Sequence, residues 1–190
     1  MKIRQLLTVV PCLALPLAAQ AAPETYNIDP SHTFPFFAYS HLGYSTQTSR
    51  FDKTSGKIVL DREARTGSAD ITIDMTSVST GSTIFNEHIQ GEELFATARF
   101  PAATFKSTAA RFEGDKPVAL DGNLTIKGVT LPVTLKVTAF KQMTHPMLKK
   151  PAIGANAVTV IKRSDFGVSK HTPFVGDEVT ITIAVEAIKD

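Results

Sequence analysis

Apolar and polar residues alternate with a period of two along most of the chain after residue 22. In Ser68–Met75 every second residue is apolar, and the pattern recurs in Val118–Lys127, Val133–Ala139 and Val179–Ala187, with Gly122 as one interruption. Alternation of this kind is typical of half-buried β-strands. The abundant Thr, Val and Ile also suit a pleated surface.

Further strands are expected where shorter apolar runs lie between turn residues. These are Phe34–Ser40, Thr46–Phe51, Lys57–Asp61, Ala102–Ser107 and Ala157–Arg163. Gly, Pro, Asp and Ser cluster between them, as hairpin turns require. Short strands at even spacing favour a single antiparallel sandwich or barrel over a parallel sheet. The chain is therefore predicted to be one all-β domain.

One segment departs from this alternation, between Ser79 and Phe95. A helix cap is available within Thr80–Ser82, and Gly91 follows as a breaker. One or two short helices are expected near residues 80–95, lying against the sheet or over one mouth of a barrel. The residues at helical spacing are Ile84, Phe85, His88 and Ile89.

The N-terminus has the features of a secretory signal peptide over residues 1–21. Lys2 and Arg4 precede an apolar run, Leu6–Ala19, that is short for a membrane span. Ala19-Gln20-Ala21 fits the small-residue cleavage pattern, so the folded domain is expected to be residues 22–190. An uncleaved anchor or lipidation at Cys12 are the alternatives, although Pro11 disfavours acylation. Export to a periplasm is the expectation, with no membrane-spanning segment in the domain.

Charge and cysteine content exclude several functions. Removing Lys2 and Arg4 leaves 18 basic and 18 acidic side chains, so the domain carries no basic footprint for nucleic acid. Residues 22–190 contain no cysteine. The domain therefore has no disulfide, no thiolate metal site and no thiol nucleophile.

Catalytic motifs are scarce. The sequence has no phosphate loop, zinc-protease motif or dinucleotide fingerprint, and Gly43-Tyr44-Ser45 only begins a nucleophile elbow. The five histidines show no close ligand pairing, so neither a metal nor another cofactor is expected. Arg163–Gly167 is more suggestive: Arg163 either locks a turn by pairing with Asp165 or presents its guanidinium to an anionic or carbonyl head group.

Taken together, motifs along the whole domain resemble the YceI-like family of bacterial periplasmic polyisoprenoid-binding proteins. The matching segments are Asp29-Pro30-Ser31-His32, His41-Leu42-Gly43, Arg50-Phe51, Ser55-Gly56, Glu87-His88-Ile89, Phe100-Pro101 with Phe105, Gly122–Thr130, Arg163–Gly167 and Val175–Val179. Thr48-Ser49 before Arg50 and the bulky Phe34-Pro35-Phe36 depart from the family pattern.

The resemblance implies a lipocalin-like antiparallel barrel of about eight strands that encloses a long isoprenoid or other lipid. Alternation alone leaves open whether the aromatic side chains fill the interior; the resemblance favours a cavity. The ligand-binding candidates are Phe37, Tyr39, His41, Phe85, Ile89, Phe95, Phe105, Arg163 and Phe166. Of these, Arg163 and His41 are the candidates for the head group, and the others for the tail.

Two functional hypotheses follow. The first is a non-catalytic carrier for a quinone, prenyl phosphate or similar amphiphile. The second is a lipid- or quinone-modifying enzyme or electron-transfer accessory, which requires an acid–base or metal set among His32, His41, His88 and Arg163. The sequence leaves open the head group and the tail length of the ligand. It also leaves open whether the protein forms a homodimer through the non-alternating Phe34–Tyr39 strand.

Overall fold

The computed structural model describes residues 22–190, so the proposed signal peptide lies outside the described residues. This part contains eleven strands: β1 (Glu24–Ile28), β2 (Phe34–His41), β3 (Ser45–Phe51), β4 (Thr54–Asp61), β5 (Thr66–Asp74), β6 (Val78–Ser79), β7 (Ala102–Glu113), β8 (Lys116–Ile126), β9 (Val129–Thr144), β10 (Pro151–Lys162) and β11 (Glu178–Lys189). It also contains the helix α1 (Thr83–Ile89) and 3₁₀ turns at Met75–Ser77 and Arg163–Phe166.

Eight of the strands close into an antiparallel barrel. Their order is β1-β4-β5-β7-β8-β9-β10-β11, and β11 pairs back onto β1. Strand β11 also pairs with β2 over Thr180–Ala184, and β3 and β6 continue the sheet from there. The predicted lipocalin-like barrel is confirmed, and closure removes free sheet edges along most of the wall.

Strand β11 pairs with β1 as far as Ala187 and with β2 from Ala184, and the loop between β1 and β2 passes the two residues between them, Val185 and Glu186. The Thr33 hydroxyl donates to the Glu186 carbonyl (3.0 Å), and the Glu186 N–H donates to the Thr33 hydroxyl oxygen (3.1 Å). The Thr33 side chain thus supplies the partner of the Glu186 N–H, while the Glu186 carbonyl also accepts from the Asp29 N–H at 2.9 Å. Asp29 accepts bonds from the N–H and hydroxyl of Ser31, which shapes the turn.

The sequence pattern located most strands but not their irregularities. Met75 and Arg163, expected at strand ends, lie in the 3₁₀ turns, and the short strand β1 was not predicted. Ala139 was expected on the same face as Val137. Instead, a register shift opposite Asn156 and Ala157 turns Ala139 outward, because a bulge adds one residue and reverses the alternation beyond it.

The predicted helix is α1, a single short one. The Ser82 hydroxyl caps it by accepting from the Phe85 N–H at 3.3 Å, as expected for a serine at this position. Ile89 is buried, whereas Ile84 is 82% exposed although it belongs to the same apolar spacing. The helix therefore presents only part of its predicted apolar stripe to the barrel.

Substitution of Gly122 by alanine is expected to destabilise the domain by about 1–3 kcal/mol. A Cβ at this position would lie 2.5 Å from the Phe105 ring and 2.7 Å from the Lys106 carbonyl oxygen. Gly154→Ala is the matched control, since its Cβ would meet nothing closer than 3.8 Å. Urea denaturation of both variants measures the difference, and equal stabilities would contradict the close-approach explanation.

Candidate functional site

The barrel encloses an elongated cavity of about 470 Å³. Its walls are almost entirely apolar, since the inward residues of every barrel strand contribute to it. The volume falls within the roughly 300–1,000 Å³ range of small-molecule sites. The interior is therefore not filled by the protein's own side chains, which answers the question that alternation left open.

All nine residues proposed as ligand contacts line this cavity. They are Phe37, Tyr39, His41, Phe85, Ile89, Phe95, Phe105, Arg163 and Phe166. The first three occupy every second position of β2 and point inward together, as the family resemblance implied. Their location is thus established, while contact with a ligand stays a prediction.

An aromatic group narrows the half of the cavity next to α1. The Phe37 ring lies 5.4 Å from the Phe51 ring, 6.0 Å from the Phe95 ring and 6.3 Å from the Tyr39 ring, centroid to centroid. Such distances are typical of stabilising aromatic pairs. The rings form a rigid apolar collar rather than a flexible lining.

The opposite end of the cavity is closed. Tyr26, Ile28, Leu60 and Ile153 form a buried cluster across it. Behind them the Gln142 amide donates to the Tyr26 hydroxyl at 2.7 Å. Burial is the main cause that raises the pKa of Tyr26 to about 12, and the hydrogen bond to the neighbouring Glu24 carboxylate raises it further. This phenol therefore stays neutral.

The end near α1 is open and carries the ionisable lining groups. His41, His88 and His171 line the cavity and are exposed, which marks this end as the mouth. Lys170 also lines it and pairs with Glu93. Among the described residues no acidic side chain lines the cavity. The mouth therefore favours a negatively charged or strongly accepting group.

Arg163 organises the loop at the mouth. Its guanidinium donates to four backbone carbonyls, at 2.6–3.0 Å. These carbonyls belong to Val168, Lys170, Val175 and Gly176. Of the two roles considered from the sequence, the structure shows a locking role, through carbonyls and not through Asp165. Four of the five N–H groups are thereby engaged.

Burial and hydrogen bonding shift the pKa values of three groups at the mouth. Burial lowers the pKa of Arg163, and the nearby Asp177 carboxylate opposes that shift. Burial also raises the pKa of Tyr39. Hydrogen bonds from the Ser164 hydroxyl (2.7 Å) and N–H (2.9 Å) lower the pKa of Asp177.

Acidification is expected to weaken the hydrogen bonds that Ser164 donates to Asp177 at the mouth. Because its folded pKa is lowered, its stabilisation is complete above the ordinary value of 3.8 and is lost as the pH falls through the folded value. Asp177→Asn should cost about 1 kcal/mol at neutral pH, with the deficit shrinking at about pH 2.5.

Urea denaturation at both pH values measures this effect. Asp165→Asn is the control, since Asp165 is exposed in the same turn. A deficit that is unchanged at acid pH would contradict the assignment to the Asp177 carboxylate.

One group in the described chain has donor atoms placed for a cation. Ligand atoms of Asp29, His32 and Glu186 lie within 4.8 Å of one another, away from the cavity lining. His32 Nδ1 lies 2.8 Å from an Asp29 carboxylate oxygen, and this hydrogen bond raises the pKa of His32. Hydrogen bonds within the turn join Asp29, Ser31 and His32, and the Glu186 carboxylate acts on His32 through its charge from β11.

Sequence reasoning missed several lining residues. Lys170 and His171 reach the mouth from the loop after Phe166, and His88 was treated only as part of the helix pattern or as a catalytic candidate. Phe112 and Phe140 line the closed half. Their alternation could have located them, but the register shifts in β7–β8 and β9–β10 interrupt it.

Within residues 22–190 no helix has the length and apolarity needed to cross a membrane. The fold and cavity define the class: a closed lipocalin-like β-barrel with an apolar internal cavity. Residues 26–187 match the YceI-like domain. The chain belongs to the YceI-like family.

Relatives and solved structures agree with this assignment. Protein YceI of Escherichia coli strain CFT073 is 34% identical over 175 residues, covering 90% of this chain and 91% of that protein. A UPF0312 protein of Shewanella sp. strain W3-18-1 is 30% identical over 178 residues, covering 93% of each.

Two structures share the fold. Burkholderia cenocepacia BcnA has a TM-score of 0.70 and 28% identity, covering 84% of this chain and 99% of that one. A polyisoprenoid binding domain of Saccharophagus degradans, implicated in plant cell wall breakdown, has a TM-score of 0.65 and 21% identity, covering 87% and 98%.

Proposed function

We propose that this protein is a non-catalytic periplasmic carrier for a long-chain isoprenoid lipid, such as a quinone or a prenyl phosphate. The tail occupies the barrel and the head group lies at the mouth. The observation that carries the proposal is the apolar cavity of about 470 Å³ with one closed and one open end. Such a shape suits an amphiphile inserted tail first.

Energetics support an apolar chain as the occupant. Each CH₂ group removed from water contributes about 0.8 kcal/mol, so a chain of ~20 carbons gains more than the roughly 4–15 kcal/mol that association costs. This attraction needs no directional contacts, which agrees with the scarcity of sequence motifs.

The mouth supports a head group that is anionic or rich in hydrogen-bond acceptors. Lys170, which also pairs with Glu93, and the three histidines at the opening offer N–H groups, and no carboxylate is among the lining residues described. A phosphate gains from this field, and quinone carbonyls accept hydrogen bonds from the same groups. A cationic amphiphile would be disfavoured.

The family and the neighbouring structure support the lipid class. The Saccharophagus degradans domain is described as polyisoprenoid binding, and it shares the barrel. The leader-like residues 1–21 support export. Both arguments are consistent with the carrier role, and neither depends on the cavity measurement.

Catalysis is the less supported alternative. His32 lies outside the cavity, bonded to Asp29, so the four residues that an enzyme would need do not converge. The Arg163 guanidinium is engaged by backbone carbonyls. Among the described cavity residues, no hydrogen-bonded nucleophile–base pair supports a reaction.

The test is lipid extraction from protein isolated out of the periplasmic fraction. Organic extraction and mass spectrometry are expected to find one prenyl lipid in near-stoichiometric amount. Recovery of the protein only from the cytoplasm would contradict the export proposal. Lipid-free protein that also fails to bind added geranylgeraniol or geranylgeranyl phosphate would contradict the carrier proposal.

A further inference from the structure

The barrel wall is not hydrogen-bonded along its whole circumference. The β9–β10 ladder runs from the Thr144–Pro151 pair to the Lys136–Val158 pair and ends there. Beyond it, 129–135 pair only with β8, and 159–162 pair only with β11. We call the gap between these two segments the seam. Pro132 lies on one side of it, where a strand edge tolerates the missing N–H.

The seam lies over the cavity. A surface depression follows it on the outside, lined on both sides by β9 and β10 residues that include Thr134 and the 57%-exposed Val160. Four residues line both this depression and the cavity: Val133, Thr159, Ile161 and Phe166. A single layer of side chains therefore separates the interior from the surface here.

Phe166 closes the seam from within. It extends from the 3₁₀ turn Arg163–Phe166, is 2% exposed, and packs in one cluster with Leu131, Val133 and Ile161. Where a ladder joins two barrel strands, as along the rest of β9 and β10, the strands would have to break hydrogen bonds to separate. At the seam only side chains, with Phe166 the largest of them, separate the cavity from the surface, and side-chain rotation is far faster than strand separation.

We propose that the seam is a lateral passage through which the apolar chain of the ligand enters and leaves the cavity. The inference rests on the proposed function, because it takes the occupant to be a prenyl chain. The head group stays at the mouth while the chain moves sideways past Phe166. Apolar contact continues on the outer surface through Val160 and Pro132. Charged groups flank this path at its mouth end, where Lys162, Asp165 and Glu178 line the depression.

A cross-link across the seam tests the passage. Residues 22–190 lack cysteine, so Thr134→Cys/Val160→Cys can be joined specifically with a short bismaleimide. The control is Lys136→Cys/Val158→Cys, which joins the last pair of the intact ladder. Stopped-flow transfer of fluorescent NBD-labelled geranylgeraniol between protein and phospholipid vesicles measures the rate of uptake and the rate of release.

The seam cross-link is expected to slow uptake and release at least tenfold with little change in affinity, while the control cross-link changes neither. Rates within twofold of one another for the two cross-linked proteins would overturn the passage and assign exchange to the mouth. Failure of the unmodified protein to bind the probe would instead contradict the proposed function itself.

A second variant changes the rate in the opposite direction. Phe166→Ala is expected to accelerate release at least tenfold, because it removes the side chain that closes the seam. Phe34→Ala is the control, since Phe34 lies on β2 and lines neither the cavity nor the depression. Equal acceleration by both variants would indicate general loosening and overturn the role of Phe166.

Discussion

Arg163→Lys is expected to destabilise the domain by about 3 kcal/mol and to abolish retention of ligand. Lysine offers one point of donation, whereas the Arg163 fork donates to the carbonyls of four loop residues. At least two carbonyls would lose their partner in a partly buried site, and each costs about 1–3 kcal/mol. The loop at the mouth would then lose its fixed conformation.

Urea denaturation and the amount of co-purified lipid measure the two effects of Arg163→Lys. Arg111→Lys is the matched control, because Arg111 is exposed on the outer face and pairs only with Asp121 at 3.3 Å. Such exposed pairs contribute at most about 1 kcal/mol. If both variants lost equally little stability, the locking role of Arg163 would be refuted.

Ala155→Trp is expected to reduce bound prenyl lipid at least tenfold while leaving the domain folded. Ala155 lies on β10 with its side chain lining the closed half of the cavity, opposite Phe140 and Val185 in the neighbouring strands. An added indole would strain a filled core, but here it occupies existing space. The free protein should therefore keep its stability within about 1 kcal/mol.

The control for this substitution is Asn156→Trp. Asn156 is the next residue of β10, is exposed and faces outward, so the same side chain is added outside the barrel. Geranylgeraniol binding and the extracted lipid are measured for both variants. Unchanged lipid content in Ala155→Trp would mean that the ligand does not occupy the closed half of the cavity.

Much of this fold could be predicted because the pattern that indicates each element lies within a few consecutive residues. Alternating residues such as Ile71 and Ile73 share a face in any strand, so their common orientation, which is inward, followed directly from the sequence. The capping residues within Thr80–Ser82 indicated the start of α1 for an equally local reason, and Ser82 is the one that caps the helix. The family resemblance supplied the closure of the strands into a barrel.

Other features could not be predicted because they depend on distant partners. The bulge that turns Ala139 outward exists only in the pairing of β9 with β10. Lys170 reaches the mouth because the Arg163 guanidinium holds the loop that carries it. The four carbonyl partners of that guanidinium have no sequence pattern, since backbone oxygens are present at every residue.

The sequence by itself determined which face is apolar in the regularly alternating strands, that a short helix begins near residues 80–82, and that residues 22–190 contain no thiol chemistry. Those properties depend on residue identity and on the two-residue repeat of an extended chain. Only the tertiary structure decided that the barrel encloses a cavity and that no acidic side chain of the described residues lines it. It also decided that the β9–β10 ladder ends at Val158. Enclosed volume and strand register are set by the simultaneous pairing of all eight barrel strands, and no single strand records that arrangement.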